Sequence, residues 1–419
     1  MIEADDPLAR REESRRVLLV VGLAMPGTGY TRVLSAISAG LGGKYQVHWL
    51  GLGGPSSAPA QAAGLDIQYC PFKPHSAEAA TALQQLVARV QPDAALFLGQ
   101  PPWLARLLQT LRAAQPSCRL LLYAPIEGTL TNPDWLKPLA FVDDCILYTE
   151  FARQNLMALH ATSRESVPLA RLPRLHVLPH GIDTTAFHPA RAPDAGADLA
   201  SPRIEIRREL FPDRPELADV FIVLNANFPY PRKRIDLTIR GFAAFAKEAG
   251  SDVYLYLHHV RIDRYMRGQI EDIARETGIG ERLLLNVLNP QGEVVSDERL
   301  NLLYNACDVG LTTAMGEAWG LASFEHGATG AAQIVPAHTS FRENWADAAE
   351  FVPATSAQPL YYEYADMHTV DPPGVAQALG RLYRDPGLRP RRAEAALARA
   401  RSPRFRWSKI VRQLDHILV

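Results

Sequence analysis

The sequence predicts an α/β protein made of two Rossmann-like domains in tandem, with parallel sheets facing a central cleft. Three observations predict it. The chain has 419 residues, more than one ordinary domain holds. Short apolar runs alternate with stretches of helical period, the pattern of strands covered by helices on both faces. The rhythm breaks once, in an aperiodic stretch at 191–204, and then restarts.

The first strand is "RVLLVVGL" (16–23), leading into the glycine-bearing loop "AMPGTG". A helix follows with Val33, Leu34, Ile37 and Leu41 on one face, then a second strand in "YQVHWLGLG". A helix over 77–90 carries Leu83, Leu86, Val87 and Val90, and "AALFLG" (94–99) is the next strand. A helix marked by Leu104, Leu107, Leu108 and Leu111 leads to the strands "RLLLYAP" (119–125) and "DCILYT" (144–149). After the break come "VFIVLNAN" (220–227), a helix from Ile235 to Ala249, "VYLYLHHV" (253–260), "LLLNVL" (283–288), "VGLTT" (309–313) and "AQIVPA". In "VYLYLHHV" a regular strand would turn one of His258 and His259 inward and the other outward. "FRWSKIVRQLDHIL" (405–418) has an amphipathic helical period.

The expected organisation is a flexible start (1–16), an amino-terminal domain (17–190), a linker or surface loop (191–204), a carboxy-terminal domain (205–400) and a terminal helix (401–419).

Composition narrows the function. With 47% hydrophobic and 21% charged residues and a net charge of −1, the chain is an ordinary globular protein, not one built to coat nucleic acid. The longest apolar run, "VLLVVGLAM", is too short to span a bilayer, and the charged start lacks the apolar core of a signal peptide. Peripheral membrane contact is compatible with this composition. The four cysteines lie far apart with no metal-ligand or redox spacing, which suits buried thiols in a reducing compartment. The expected location is the cytoplasm. The high alanine, arginine and proline content fits a GC-rich bacterial genome.

Two stretches carry chemistry. "GEAWGLASFEHGATG" (316–330) places Glu317 in a loop after a strand and Glu325 inside the following helix, which begins near Gly320. In an open α/β sheet the carboxyl ends of the strands face the ligand crevice. A helix amino terminus there is a seat for phosphate, and Gly320 permits close approach. Each carboxylate can accept two hydroxyls of a vicinal diol. A solvated helix start would also carry such glutamates.

"NANFPYPRKRIDLTIRGF" (225–242) ends a strand at Asn225 and Asn227 and presents Arg232, Lys233 and Arg234 before an amphipathic helix. Three cations at that place could neutralise a diphosphate; a solvated basic turn is the plainer reading.

Taken together, these stretches resemble family 4 glycosyltransferases. Glu317 to Glu325 is similar to that family's E-x7-E motif, "RKRIDLTI" to its Arg-Lys segment, "LPHGIDTTAFHP" to its "PNGID…F-P" stretch, and "YTEFARQNL" (148–156) to its "S-E-x-x-R/K" helix start. The likeness is densest over 119–345. It implies the two-Rossmann GT-B fold and transfer of a sugar from a nucleotide diphosphate sugar to an acceptor hydroxyl, with retention of anomeric configuration. The donor is then a co-substrate, and neither a metal nor a further cofactor is implied.

Carried over residue by residue, the resemblance has Lys233 bind the donor diphosphate with Arg232. Glu317 would contact the transferred sugar, and Glu325 the ribose hydroxyls. Trp319, Gly320 and Leu321 would line the sugar and phosphate by backbone, with Asn227 and Arg234 nearby. The loop holding Gly27 and Gly29 would approach donor and acceptor, and Glu127 would face the cleft from the amino-terminal domain. His180 reads as structural. Phe228 stands where many members carry an arginine, so that Arg232 or Arg234 would compensate or donor handling differs.

Other activities of the same fold, such as nucleotide-sugar epimerisation, and a non-catalytic nucleotide-sugar-binding relative stay open as alternatives. A dinucleotide-dependent dehydrogenase does not fit, because "GLAMPGTG" lacks the G-x-G-x-x-G spacing.

Overall fold

A computed structural model describes residues 15–54, 65–167, 169, 171–190, 200–360 and 364–419. The flexible start expected over 1–16 and the loop expected over 191–204 lie largely outside these residues. From Ala200 the chain is already helical, to Leu210.

The apolar runs become central strands because they are buried on both faces. The first sheet contains β1 (Arg16–Leu23), β2 (Tyr45–Leu52), β3 (Asp66–Cys70), β4 (Ala94–Leu98) and β5 (Arg119–Ala124). A short β6 (Thr129–Leu130) follows, and β7 (Asp144–Leu147) and β8 (Arg174–Val177) complete the half. The sheet runs β3-β2-β1-β4-β5-β7-β8, with every neighbouring pair parallel.

The second sheet contains β9 (Phe221–Asn225), β10 (Val253–Leu257), β11 (Leu283–Leu285), β12 (Val309–Leu311), β13 (Ala332–Pro336) and β14 (Glu350–Val352). It runs β11-β10-β9-β12-β13-β14, again all parallel. The strand order reverses beside β1 in one sheet and beside β9 in the other. These are the switch points at which doubly wound sheets open a crevice at their carboxyl ends.

Two features join the halves. The strands β15 (Ser356–Leu360) and β16 (Ala365–Thr369) are antiparallel to each other, and β16 pairs with β6 of the first half through Ala365↔Leu130 and Asp366↔Thr129. The terminal helix Trp407–Leu418 returns to the first half. There Gly40 leaves room for Val411, whose Cγ2 would lie 2.6 Å from a Cβ at that glycine. Tyr45 Oη donates to Asp415 Oδ1 at 2.9 Å, and Lys44 pairs with the same carboxylate.

One expectation fails locally. Both His258 and His259 are buried, because β10 ends at Leu257 and the two histidines occupy the loop beyond the regular strand.

Candidate active site

The basic turn is built from the strand end outward. Asn225, the last residue of β9, donates from Nδ2 to Thr238 Oγ1 at 2.9 Å. Thr238 and Thr313 hydroxyls lie 2.7 Å apart, and Thr313 Oγ1 donates to the carbonyl of Arg234 at 2.8 Å. This relay holds Arg234 in the left-handed region at φ 49°, an uncommon conformation for a non-glycine residue. The turn therefore projects Arg232 and Lys233 into the crevice.

The remaining predicted residues of this turn point elsewhere. Arg234 forms a bidentate pair with Asp236 (2.9 and 2.7 Å), so it does not join the other two cations. Asn227 spends its amide on Asn225 Oδ1 and Thr312 Oγ1, both at 3.0 Å, while its carbonyl accepts from His259 Nδ1 at 2.7 Å. Phe228 is 38% exposed and brings no charge to the site.

Lys233 is buried and bonded to Glu317. Arg232 Nη1 donates to the carbonyl of Gly316 at 2.6 Å and to Glu317 Oε2 at 3.3 Å. Its Nη2 lies 3.5 Å from Glu127 Oε1, and Gln100 donates to the other oxygen of Glu127 at 3.1 Å. Two carboxylates and two cations thus meet across the halves with little access to water. Burial pushes the Glu317 carboxyl up, but Lys233 and Arg232 together hold it below the usual carboxylate range. Burial, reinforced by Arg232, brings the Lys233 ammonium down to about 8 in spite of Glu317.

The contact between the halves here is backbone-close. A Cβ on Gly316 would collide with the Glu127 carbonyl, and one on Gly128 would lie 2.6 Å from the Asp366 carbonyl. The 316–320 loop is tied to the helix Thr339–Trp345: Ser340 Oγ bonds the Glu317 carbonyl, and Asn344 Nδ2 donates to Trp319 O at 3.0 Å. Gly320 adopts φ 93° and opens the helix Leu321–Ala328. The Trp319 ring stacks on Phe324 at 5.0 Å and meets Phe405 edge-on, so only its backbone can serve a ligand.

Glu325 lies in a second cluster. Its Oε1 is 3.1 Å from Arg32 Nε, and its Oε2 accepts from Tyr304 at 3.3 Å. Arg32 also grips Asp297 with both terminal nitrogens (2.9 and 2.7 Å) and lies 5.1 Å above the Phe187 ring. Burial raises the Glu325 carboxyl above its ordinary value, outweighing Arg32. Arg32 is the residue that sequence reasoning missed. Its signal was its place in the first turn of the helix after β1, on the crevice side.

The glycine loop reaches the same region. Gly27 has φ 81°, and a Cβ there would lie 2.8 Å from Val294 Cγ2; one on Gly29 would lie 3.1 Å from Leu321 Cδ1. His180 is sealed among Tyr123, Tyr148 and Trp319, with Nδ1 3.0 Å from Tyr123 Oη. Burial drives its pKa to about 3, which makes it a neutral packing group. Among the described residues no group of three or more His, Cys, Asp or Glu side chains is arranged to hold a metal ion, and no helix is long and apolar enough to cross a membrane.

Two facing parallel α/β sheets with their carboxyl ends turned on a shared crevice define the GT-B architecture. Solved structures share it along almost the whole chain. Sucrose-phosphate synthase from Thermosynechococcus elongatus superposes with a TM-score of 0.72 at 16% identity, covering 96% of this chain and 98% of that one. The α,α-trehalose 6-phosphate synthase from Burkholderia multivorans gives 0.70 at 15%, over 96% and 98%. Anabaena HepE, solved in complex with UDP and glucose, gives 0.69 at 14%, over 96% and 99%. The likeness is one of fold. No protein-family model matches the sequence, and no curated protein matches it.

Proposed function

We propose that this protein is a glycosyltransferase of hexosyl type, moving a sugar from a nucleotide diphosphate donor to an acceptor hydroxyl with retention of configuration. The observation that carries the reading is the buried set of Arg232, Lys233 and Glu317 at the carboxyl ends of β9 and β12, faced by Glu127. In the resting arrangement the cations are matched by carboxylates. A donor diphosphate would take over Lys233 and Arg232 and release Glu317 to accept hydroxyls of the transferred sugar. As the anomeric bond breaks, charge gathers on the leaving phosphate, and fixed cations in a water-poor site stabilise it.

Glu325 takes the ribose in this reading, with Gly320, Leu321 and the backbone of Trp319 beside the phosphates and the Gly27–Gly29 loop closing from the other half. The amino-terminal domain (17–190) would hold the acceptor and the carboxy-terminal domain (205–400) the donor. With no carboxylate assigned as nucleophile, retention would follow a front-face route in which the leaving phosphate assists acceptor deprotonation. The resemblance to family 4 supports this assignment, and the complex of HepE with UDP and glucose supports a nucleotide-sugar ligand for the fold. The four buried thiols suit the reducing cytoplasm of a bacterium.

The test is transfer measured with a panel of nucleotide sugars. Lys233→Ala should lower kcat roughly a hundred- to thousandfold. Full activity in that variant would overturn the roles. A second reading, a binding protein without turnover, is favoured by the exposed Phe228 in an arginine's place. It expects thermal stabilisation by a nucleoside diphosphate with neither transfer nor donor hydrolysis.

A further inference from the structure

At the β13 end of the crevice lies an open cavity of about 710 Å³, one wall of which is the helix whose Ser340 bonds the Glu317 carbonyl. Its walls come from both halves: the start of the helix Glu150–Thr162 on one side, and the turn from β13 into the helix Thr339–Trp345 on the other. Its carboxylates are already engaged. Glu150 is held by Arg153 Nε at 3.0 and 2.9 Å, with Gln154 at 3.3 Å. Glu343 accepts the backbone N–H groups of Glu150 and Phe151 at 3.0 and 2.9 Å.

What the cavity offers beside them is a pair of donors, the exposed Arg342 and the buried His338. Arg342 uses Nε on the Ala337 carbonyl at 2.6 Å, and no ion pair or other hydrogen bond engages its guanidinium among the described residues. His338 is only 5% exposed, yet its Nε2 is buried without a partner among the described residues. Its ring is stacked 5.3 Å from His368, and its Nδ1 lies 3.3 Å from Thr339 Oγ1. When that hydroxyl donates to Nδ1, Nε2 carries the hydrogen and becomes a donor. Thr339 sits at φ 49°, a strained conformation for a β-branched residue, and strain of this kind persists where the surroundings enforce it. Burial, with His368 and Arg342 close by, drives the His338 pKa to about 3, so the ring is neutral before anything binds.

We infer that this cavity is a seat for an oxyanion, a phosphate or carboxylate group, bound by the Arg342 fork and the His338 ring. A guanidinium offers two parallel donors to such a group, and the imidazole supplies a third. The anion would be a substituent of the acceptor or a free ion. The acceptor assignment rests on the glycosyltransferase reading; the seat does not.

The probe is inorganic phosphate, titrated calorimetrically into the intact chain. Binding is expected to be saturable, to weaken roughly ten- to hundredfold in Arg342→Gln, and to weaken in His338→Phe, which keeps an aromatic ring in the stack. Arg342→Lys, with its charge retained, should keep part of the affinity and guards against a folding defect in the glutamine variant; melting curves of all variants are compared. Lys233→Ala should leave phosphate binding intact, which separates this seat from the donor site. No binding to the native chain, binding unaffected by either cavity variant, or loss of binding in Lys233→Ala alone would each overturn the proposal. The source of the anion is read by comparing a sugar phosphate with free phosphate. Tighter binding of the sugar phosphate that collapses to the affinity of its uncharged sugar in Arg342→Gln supports the seat and assigns it to the acceptor. Equal affinity that falls in parallel supports it as a free-ion site.

Discussion

Arg32, in the first helix, and Glu325, in the helix opened by Gly320, form an ion pair of 3.1 Å across the two halves of the molecule. The carboxylate proposed to hold a nucleotide ribose is therefore engaged by the opposite half before any nucleotide arrives. Removing Arg32 leaves Glu325 buried with Tyr304 alone. Because the Arg32 side chain is 30% exposed, the expected cost of Arg32→Ala is about 1–3 kcal/mol, below the figure for a fully enclosed pair. The double variant with Glu325→Gln should recover part of it. Denaturant melts of the full cycle measure the coupling, and strictly additive costs would refute a direct pair.

In the proposed donor site, Lys233 should make affinity depend on pH. Its folded pKa of about 8 lies below the ordinary 10.5, so the folded protein loses this proton first. Nucleoside diphosphate affinity, measured calorimetrically, should fall as pH rises through about 8, with proton uptake on binding near that value. Lys233→Ala should abolish the uptake. The stability sign runs the other way: the cost of burying the ammonium is fully present below about 8 and is relieved as pH climbs from there towards 10.5.

Gly316→Ala inserts a methyl against the Glu127 carbonyl, and although the Met367 side chain beside it can move, that backbone oxygen cannot yield as a side-chain end would. The substitution should separate Glu127 from Arg232 and reduce kcat by about tenfold or more, since small displacements at a reacting centre are costly. Stability should fall by about 1–3 kcal/mol. Native kinetics in this variant would show that the close contact is dispensable.

Thr313→Val removes the hydroxyl that supports the Arg234 carbonyl and stands next to the Thr238 hydroxyl. Leaving buried polar groups unmatched should cost about 1–3 kcal/mol. If the relay serves to aim Lys233, the pH midpoint of nucleotide binding should move as well, and Thr313→Ser should restore it. A stability loss with an unmoved midpoint would confine the threonine to a structural role.

The legible part of the fold consists of strands buried on both faces, because burial on two sides demands continuous apolar runs such as "RVLLVVGL" and "VFIVLNAN". The meeting of Arg232, Lys233 and Glu317 was legible for a related reason: residues at strand carboxyl ends are brought together by topology. Other parts had no such signal. β3, "DIQYC", is a mixed edge strand, while "SAQPL" is mostly exposed and buries no apolar run. The helix Ala200–Leu210 reads as polar because one of its buried residues is Arg207, matched by Asp308 at 2.6 Å. Arg32 is marked only by its place after β1, since its partners Asp297, Tyr304 and Glu325 cluster around it from distant segments.

The strap made by β16 and β6 bears on the mechanics of opening. Backbone pairing at Thr129–Leu130 moors the second half to the first beside Glu127, while the Gly27 loop lies against the Val294 side chain. One side is thus held by a strand ladder and the other by side-chain ion pairs, Arg32 with Glu325 and Asp297, which can part without disturbing any backbone pairing. Nucleotide traffic would then pass on the Gly27 side without unzipping a strand. At the moored side, admitting anything larger than the existing cavity means breaking the ladder between Ala365 and Leu130 or lifting the whole hairpin with it.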